Sequence, residues 1–121
     1  MKRVYVCGSF KFMRRIQDLE ARLREEGIEF SASDRLDARG IGGCLEKIDE
    51  ADIVYVVNPN GYIGKSVSID IGYTCGRDKP LYLMCATSDP PIMDFVEGVL
   101  SFEELISLIK QGPSSRNEKK P

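Results

Sequence analysis

The chain has 121 residues, 17 Lys plus Arg against 19 Asp plus Glu, 4 Cys, no His and no Trp, with a formal net charge of -2. One domain of this length buries roughly two thirds of the surface of its unfolded chain and needs neither disulfides nor a metal to support a core. The absence of His excludes Ser-His-Asp and Cys-His catalysis, HExxH metalloprotease chemistry and imidazole proton shuttling, so any catalysis falls to carboxylates, hydroxyls, thiols or Tyr. The near-neutral charge gives no footprint for a nucleic-acid polymer, and the expected partner is a small molecule. Cys7, Cys44, Cys75 and Cys85 are widely spaced with no CxxC pair, which points to a reducing cytoplasm and to no metal. No apolar run approaches the ~20 residues that cross a bilayer, so no membrane partner is expected.

In chain order, Arg3 to Cys7 predicts a buried strand closed by Gly8-Ser9. Phe12, Ile16, Leu19 and Leu23 recur at helical spacing between Lys11 and Glu26, and Gly27 stops that helix. Ile28 to Ser31 predicts a weaker strand, and Ser33 to Gly43 a loop. A short helix from Cys44 to Ala51 leads into the strand Ile53 to Val57, which Asn58-Pro59-Asn60-Gly61 ends. Ser66 to Arg77 predicts a helix with Ser66 as N-cap and Val67, Ile71 and Cys75 as its buried stripe. LYLMCA (81–86) predicts a fourth strand, Phe95 to Leu100 a short fifth. Ser101 opens a last helix, with Glu104 completing a capping box. Residues 1–111 form the domain, and the polar segment 112–121 is expected to be a disordered tail.

Strands and helices alternate and the strands are apolar on both faces, a pattern that means an α/β fold: a parallel sheet of about five strands with helices on both sides. Such folds bind ligands beyond the carboxyl ends of the strands, where strand order reverses. Gly8-Ser9 is suited there to a phosphate or carboxylate, and equally to a plain strand-to-helix cap. Gly64-Lys65-Ser66 matches the tail of a Walker A loop, but Pro59 stands where that motif needs Gly. Gly8-Ser9 and Asn58 occupy the places where a receiver domain needs acidic residues. Asp70, about one turn into its helix, is placed either to complement the helix dipole or to serve as an ionised nucleophile.

Four segments together resemble the nucleoside 2-deoxyribosyltransferase-like superfamily, which includes the deoxynucleoside 5'-monophosphate N-glycosidases. They are Val4-Tyr5-Val6-Cys7-Gly8-Ser9, Ile48 to Val54, Asn58 to Gly64, and Ser68-Ile69-Asp70-Ile71-Gly72-Tyr73 before Lys79-Pro80. The resemblance implies a single flavodoxin-like (Rossmannoid) domain. It implies cleavage or transfer of the N-glycosidic bond of a (deoxy)nucleoside or nucleoside 5'-monophosphate through a carboxylate nucleophile, with no cofactor. It places Asp70 as nucleophile and Tyr5 as its orienter, both catalytic, and Gly8, Ser9, Lys11, Asn58, Gly64 and Ser66 around the sugar or its phosphate. A homodimer or larger homo-oligomer is implied as well.

Two departures stand out. The family nucleophile is Glu, one methylene longer than Asp70, and a retraction of about 1 Å from a near-attack position costs on the order of a hundredfold in rate. Cys44 stands where the nucleotide-hydrolysing branch carries an Asp that assists the leaving base. The alternative expectation is therefore a nucleotide-binding module of the same fold with weakened catalysis.

Overall fold

The computed structural model describes residues 2–33 and 40–118. Strands β1 (Val4–Cys7), β2 (Phe30–Ala32), β3 (Ile53–Val56), β4 (Leu81–Leu83) and β5 (Gly98–Val99) form one sheet in the order β2-β1-β3-β4-β5, parallel throughout. The helices are α1 (Met13–Glu25), α2 (Ile41–Glu50), α3 (Lys65–Gly76), α4 (Pro90–Met93) and α5 (Phe102–Glu118). The α/β architecture expected from the sequence is the one found.

The period-2 alternation of the strands divides the core in two. Val4 and Val6 of β1, with Ile53 and Tyr55 of β3, meet Ile16, Leu19 and Leu23 of α1 and Leu105, Ile106 and Ile109 of α5. On the opposite face Tyr5, Cys7, Val54, Val56, Leu81 and Leu83 meet Ile48 of α2 and Val67 and Ile71 of α3. The chain steps from β1 outward to β2 and then returns past β1 to β3. With one crossover hand, that reversal puts α1 and α2 on opposite faces and opens a crevice between β1 and β3.

Local differences from the sequence expectation have local causes. Helix α1 starts at Met13 because Phe10–Phe12 forms a 3-10 turn capped by Ser9, which leaves Phe12 off the α1 stripe and edge-on to Tyr62, centroids 5.8 Å apart. Strand β2 begins two residues later and ends one residue later than expected, in register with Val4 to Val6. The segment expected to be turn-rich, Thr87 to Asp94, contains α4, with Pro90 and Pro91 in its first turn. The expected loop Ser33 to Gly43 shortens from its far end, since α2 begins at Ile41; positions 34–39 lie outside the described residues. The capping box forms as expected: Glu104 N–H donates to Ser101 Oγ at 3.1 Å, and Ser101 N–H to Glu104 Oε1 at 2.8 Å. Helix α5 then runs on through residues 112–118, into the segment assigned to a tail. No helix among the described residues is long and apolar enough to cross a membrane.

Candidate active site

The crevice between β1 and β3 holds a cavity of about 620 Å³. This is within the roughly 300–1,000 Å³ typical of small-molecule sites. One wall is the turn after β1, Gly8, Ser9 and Phe10; another is Ser33 after β2 with Gly40 and Cys44 of α2; the third is Tyr62, Gly64 and the first turns of α3, Lys65, Ser66, Val67 and Asp70.

Gly8 is dictated by this geometry. Val57 N–H donates to the Cys7 carbonyl at 2.8 Å, and a Cβ at position 8 would lie 2.6 Å from the Val57 carbonyl oxygen and 3.3 Å from Ile16 Cδ1. The turn after β3 is equally tight. Asn60 and Gly61 both have positive φ, and a Cβ on Gly61 would meet the Ala86 carbonyl oxygen at 2.4 Å, which only glycine avoids.

Helix α3 carries the principal chemical group. Its N-cap is Gly64 rather than Ser66, because the helix already begins at Lys65; Ser68 Oγ, not Ser66, donates back to the Gly64 carbonyl, at 2.9 Å. The buried stripe is Val67, Asp70, Ile71 and Thr74, with Cys75 only half-buried at its edge. Apolar packing of Val67 and Ile71 against the sheet therefore carries Asp70 inward with them, at i+3 from the first. Asp70 is 3% exposed and its Oδ1 has no partner among the described residues.

Burial pushes the Asp70 carboxyl up from an ordinary 3.8 to about 6, and the Tyr5 hydroxyl, a donor beside it, acts in the opposite direction. Tyr5, fully buried on β1, has its own ionisation pushed far up, first by burial and then by Cys7 and Asp70. Its Oη lies 2.9 Å from Ser33 Oγ. The Cys7 thiol is held protonated by burial and by the charge of Asp70. Among the described residues no group of three or more acidic or Cys side chains is placed to hold a metal ion.

The remaining sequence candidates divide. Gly8, Ser9, Gly64 and Ser66 line the cavity with Asp70. Ser9 Oγ also accepts from the Lys11 N–H at 3.3 Å, so the cap expected of it is present. Lys11 does not line the cavity: its Nζ sits 3.8 Å above the Tyr62 ring centroid, on the rim. Asn58 is fully buried outside it, with Nδ2 donating to the Cys85 carbonyl at 2.8 Å and Oδ1 accepting from the Cys85 N–H at 2.9 Å. Those two bonds tie the ends of β3 and β4 together, and the carboxamide is buried away from the cavity. Asp49 of α2, a carboxylate near Cys44 in the chain, faces Tyr73 and Arg77 of α3, accepting from Tyr73 Oη at 2.9 Å on both oxygens and pairing with Arg77 Nε at 2.9 Å. Ser33, Tyr62 and Lys65 line the cavity without having been singled out from the sequence as site residues. Lys65 carried a signal in its place at a helix start after a strand, and Tyr62 in its place within the resembling segment Asn58 to Gly64.

No protein-family model and no curated protein matches the sequence. Solved structures do share the fold. A 2-deoxyribosyltransferase from Bacillus psychrosaccharolyticus superposes with a TM-score of 0.68 at 16% identity, over 86% of this chain and 90% of its own. A conserved protein from Enterococcus faecalis V583 gives 0.67 at 16% identity, over 92% and 98%. The CMP N-glycosidase BcmB of Clostridium botulinum gives 0.61 at 18% identity, over 92% and 100%. The flavodoxin-like fold implied by the sequence resemblance is thus the fold of this chain, shared with these structures over 86–92% of its length.

Proposed function

We propose that the protein cleaves or transfers the N-glycosidic bond of a (deoxy)nucleoside or nucleoside 5'-monophosphate, with Asp70 as nucleophile. The observation that carries this reading is a buried carboxylate with an unpartnered Oδ1 in the wall of a substrate-sized cavity. A carboxyl with a pKa of about 6 is mostly ionised at neutral pH, and desolvation keeps its lone pairs available.

In the first step an Asp70 oxygen forms a bond to the anomeric carbon, and the carbon–nitrogen bond breaks with its electron pair passing to the base, which takes up a proton. In the second step water, or the nitrogen of another base, attacks the same carbon, and the electron pair of the ester bond returns to Asp70. Two displacements retain the anomeric configuration. Tyr5 orients the carboxylate, while Gly8, Ser9, Gly64 and Ser66 surround the sugar.

The α3 N-terminus supports a phosphorylated substrate. The N–H groups of Lys65, Ser66 and Val67 have no partner within the helix and lie about one turn, roughly 5 Å, before Asp70 along the axis. With the Lys65 ammonium they favour an anion at a distance that suits a 5'-phosphate when the anomeric carbon is at Asp70.

Incubation with a panel of nucleosides and 5'-monophosphates, reading free base by chromatography beside an Asp70→Asn control, tests the proposal. Base released by the wild type alone supports it. Thermal stabilisation by a nucleotide with no base released would replace it by a binding module, the outcome that the short Asp70 side chain and Cys44 favour. Neither signal would reject both.

A further inference from the structure

Helix α3 has two faces. Val67, Asp70, Ile71 and Thr74 are buried on the inner one, so at about 100° per residue the direction away from the sheet is held by Lys65, Ile69, Gly72 and Gly76, all exposed. Their spacing of four, three and four residues is that of a helix–helix seam. Ile69 stands out from it, 53% exposed, whereas a Cβ on Gly72 or Gly76 would meet nothing within 4 Å. Neither glycine has a positive φ or a close neighbour inside the chain to require it, although each weakens the helix. Beside the stripe a groove of about 560 Å³ runs between α3 and α4, lined by Ser68, Gly72, Gly76, Pro91, Ile92 and Phe95, the last 61% exposed.

We propose that a second copy of the chain docks on this face, the two α3 helices crossing antiparallel at Gly72. Two features select a second copy over an unrelated partner. The first is shape. Ile69 lies three residues before Gly72 and Gly76 four after it, so a twofold axis at Gly72 sets each Ile69 in the hollow left open by the other copy's two glycines. A projection and the recess that receives it thus lie on one stripe, the condition for an isologous contact. The second feature is charge. Helix α3 has no acidic residue in its first turn and no basic one in its last, Lys65 opens it, and Asp78 follows two residues past its end. Arg77 and Lys79 are turned to α2, where they meet the Asp49 carboxylate and the Asp49 and Ala51 carbonyls. Antiparallel crossing lays the positive start of each helix, with Lys65, beside the negative end of the other, with Asp78, and the stripe between is uncharged. A parallel pairing would put like ends together. The helix that carries Asp70 is then held on both sides, by its own sheet and by the second copy. Nothing in this inference depends on the reaction proposed above.

Sedimentation equilibrium of the full chain reads the assembly directly and needs no ligand. The wild type is expected at the mass of a dimer at micromolar concentration, with a melting temperature that rises with protein concentration. Gly72→Glu separates the two accounts of the glycine, because they predict opposite changes. Glu is the better helix former, so in a chain that never pairs it leaves the mass unchanged and the melting temperature equal or higher. At a crossing it sets two carboxylates together, and the expected result is a folded monomer whose melting no longer depends on concentration. Ile69→Glu is expected to give a monomer as well. Val99→Glu, at an apolar residue 42% exposed on β5, is expected to stay dimeric. Asp78→Lys should weaken the dimer a few-fold, and adding Lys65→Glu should restore it, since the exchange returns opposite charges to each pair of ends. A monomeric wild type, a Gly72→Glu or Ile69→Glu protein as dimeric as the wild type, or a Val99→Glu protein that dissociates as they do would each overturn the inference. A charge exchange that weakens the dimer further would overturn the antiparallel crossing.

Discussion

Asp70 and Thr74 sit one turn apart in the buried stripe of α3, and Thr74 Oγ1 donates to the Asp70 backbone carbonyl at 2.7 Å while the Asp70 carboxylate oxygen Oδ1 goes without a partner. The Thr74 hydroxyl is thus spent on the backbone and not on the carboxylate. No hydrogen bond among the described residues satisfies Oδ1, an arrangement that costs stability in a group that lines the cavity.

Removing that charge is expected to stabilise the fold. The Asp70 carboxyl is ordinarily at 3.8 and here at about 6. Because the folded value is raised, the cost is fully present above about pH 6 and vanishes below about pH 4. At 1.36 kcal/mol per unit it amounts to about 3 kcal/mol, an upper figure for so buried a group. Asp70→Asn should therefore unfold several degrees higher than the wild type at pH 7.5 and within a degree or so of it near pH 4. Thermal melts across that range check this, and equal melting at pH 7.5 would mean that the carboxylate is solvated in the free protein.

The same titration sets the acid limb of catalysis. As the proposed nucleophile, Asp70 would attack only when ionised, so kcat/KM on the productive substrate should fall tenfold per unit below about pH 6 and level off above it. A rate profile flat from pH 5 to 8 would remove Asp70 from the nucleophile's role.

At Gly8 the prediction concerns shape. A methyl group 2.6 Å from the Val57 carbonyl forces the ends of β1 and β3 apart. Gly8→Ala should destabilise by about 1–3 kcal/mol in urea unfolding and weaken ligand binding, since the displaced turn is a wall of the cavity.

Asn58 should behave as a structural residue. Asn58→Ala leaves the partly buried Cys85 N–H and carbonyl without their partners, at a cost of roughly 1–3 kcal/mol. Substrate KM measured well below the unfolding temperature should change little, whereas a large KM effect at unchanged stability would return Asn58 to the binding surface.

Lys65 should separate phosphorylated from plain substrates. Lys65→Met keeps the stem and removes the charge at the α3 N-terminus, so KM for a 5'-monophosphate should rise about tenfold at low salt and KM for the matching nucleoside should not. Equal effects on both would place the phosphate elsewhere.

Much of this protein is legible from local pattern. The apolar runs at Val4 to Cys7 and Ile53 to Val57 read as strands buried on both faces, the Ser101/Glu104 box sits where its spacing puts it, and Gly27 ends α1 with a positive φ. These features depend on residues a few positions apart, so the sequence by itself determined them. It also nominated Asp70, through its place in a helix that follows a strand end and through the resemblance.

Only the tertiary structure decided what surrounds that carboxylate. Helical spacing groups Asp70 with Ser66, Tyr73 and Thr74 on one side of α3; docking of α3 on the sheet turns Asp70 and Thr74 inward and leaves Tyr73 to reach Asp49 on α2. The partners of Asn58 and Ser33 were decided in a similar way. Asn58 is claimed by Cys85, 27 residues away in the chain, and Ser33 is brought to Tyr5 across 28 residues by the parallel register of β1 and β2. A hydrogen-bond partner so distant leaves no trace in local spacing, because strand order, and not sequence, sets which chain ends meet at the crevice.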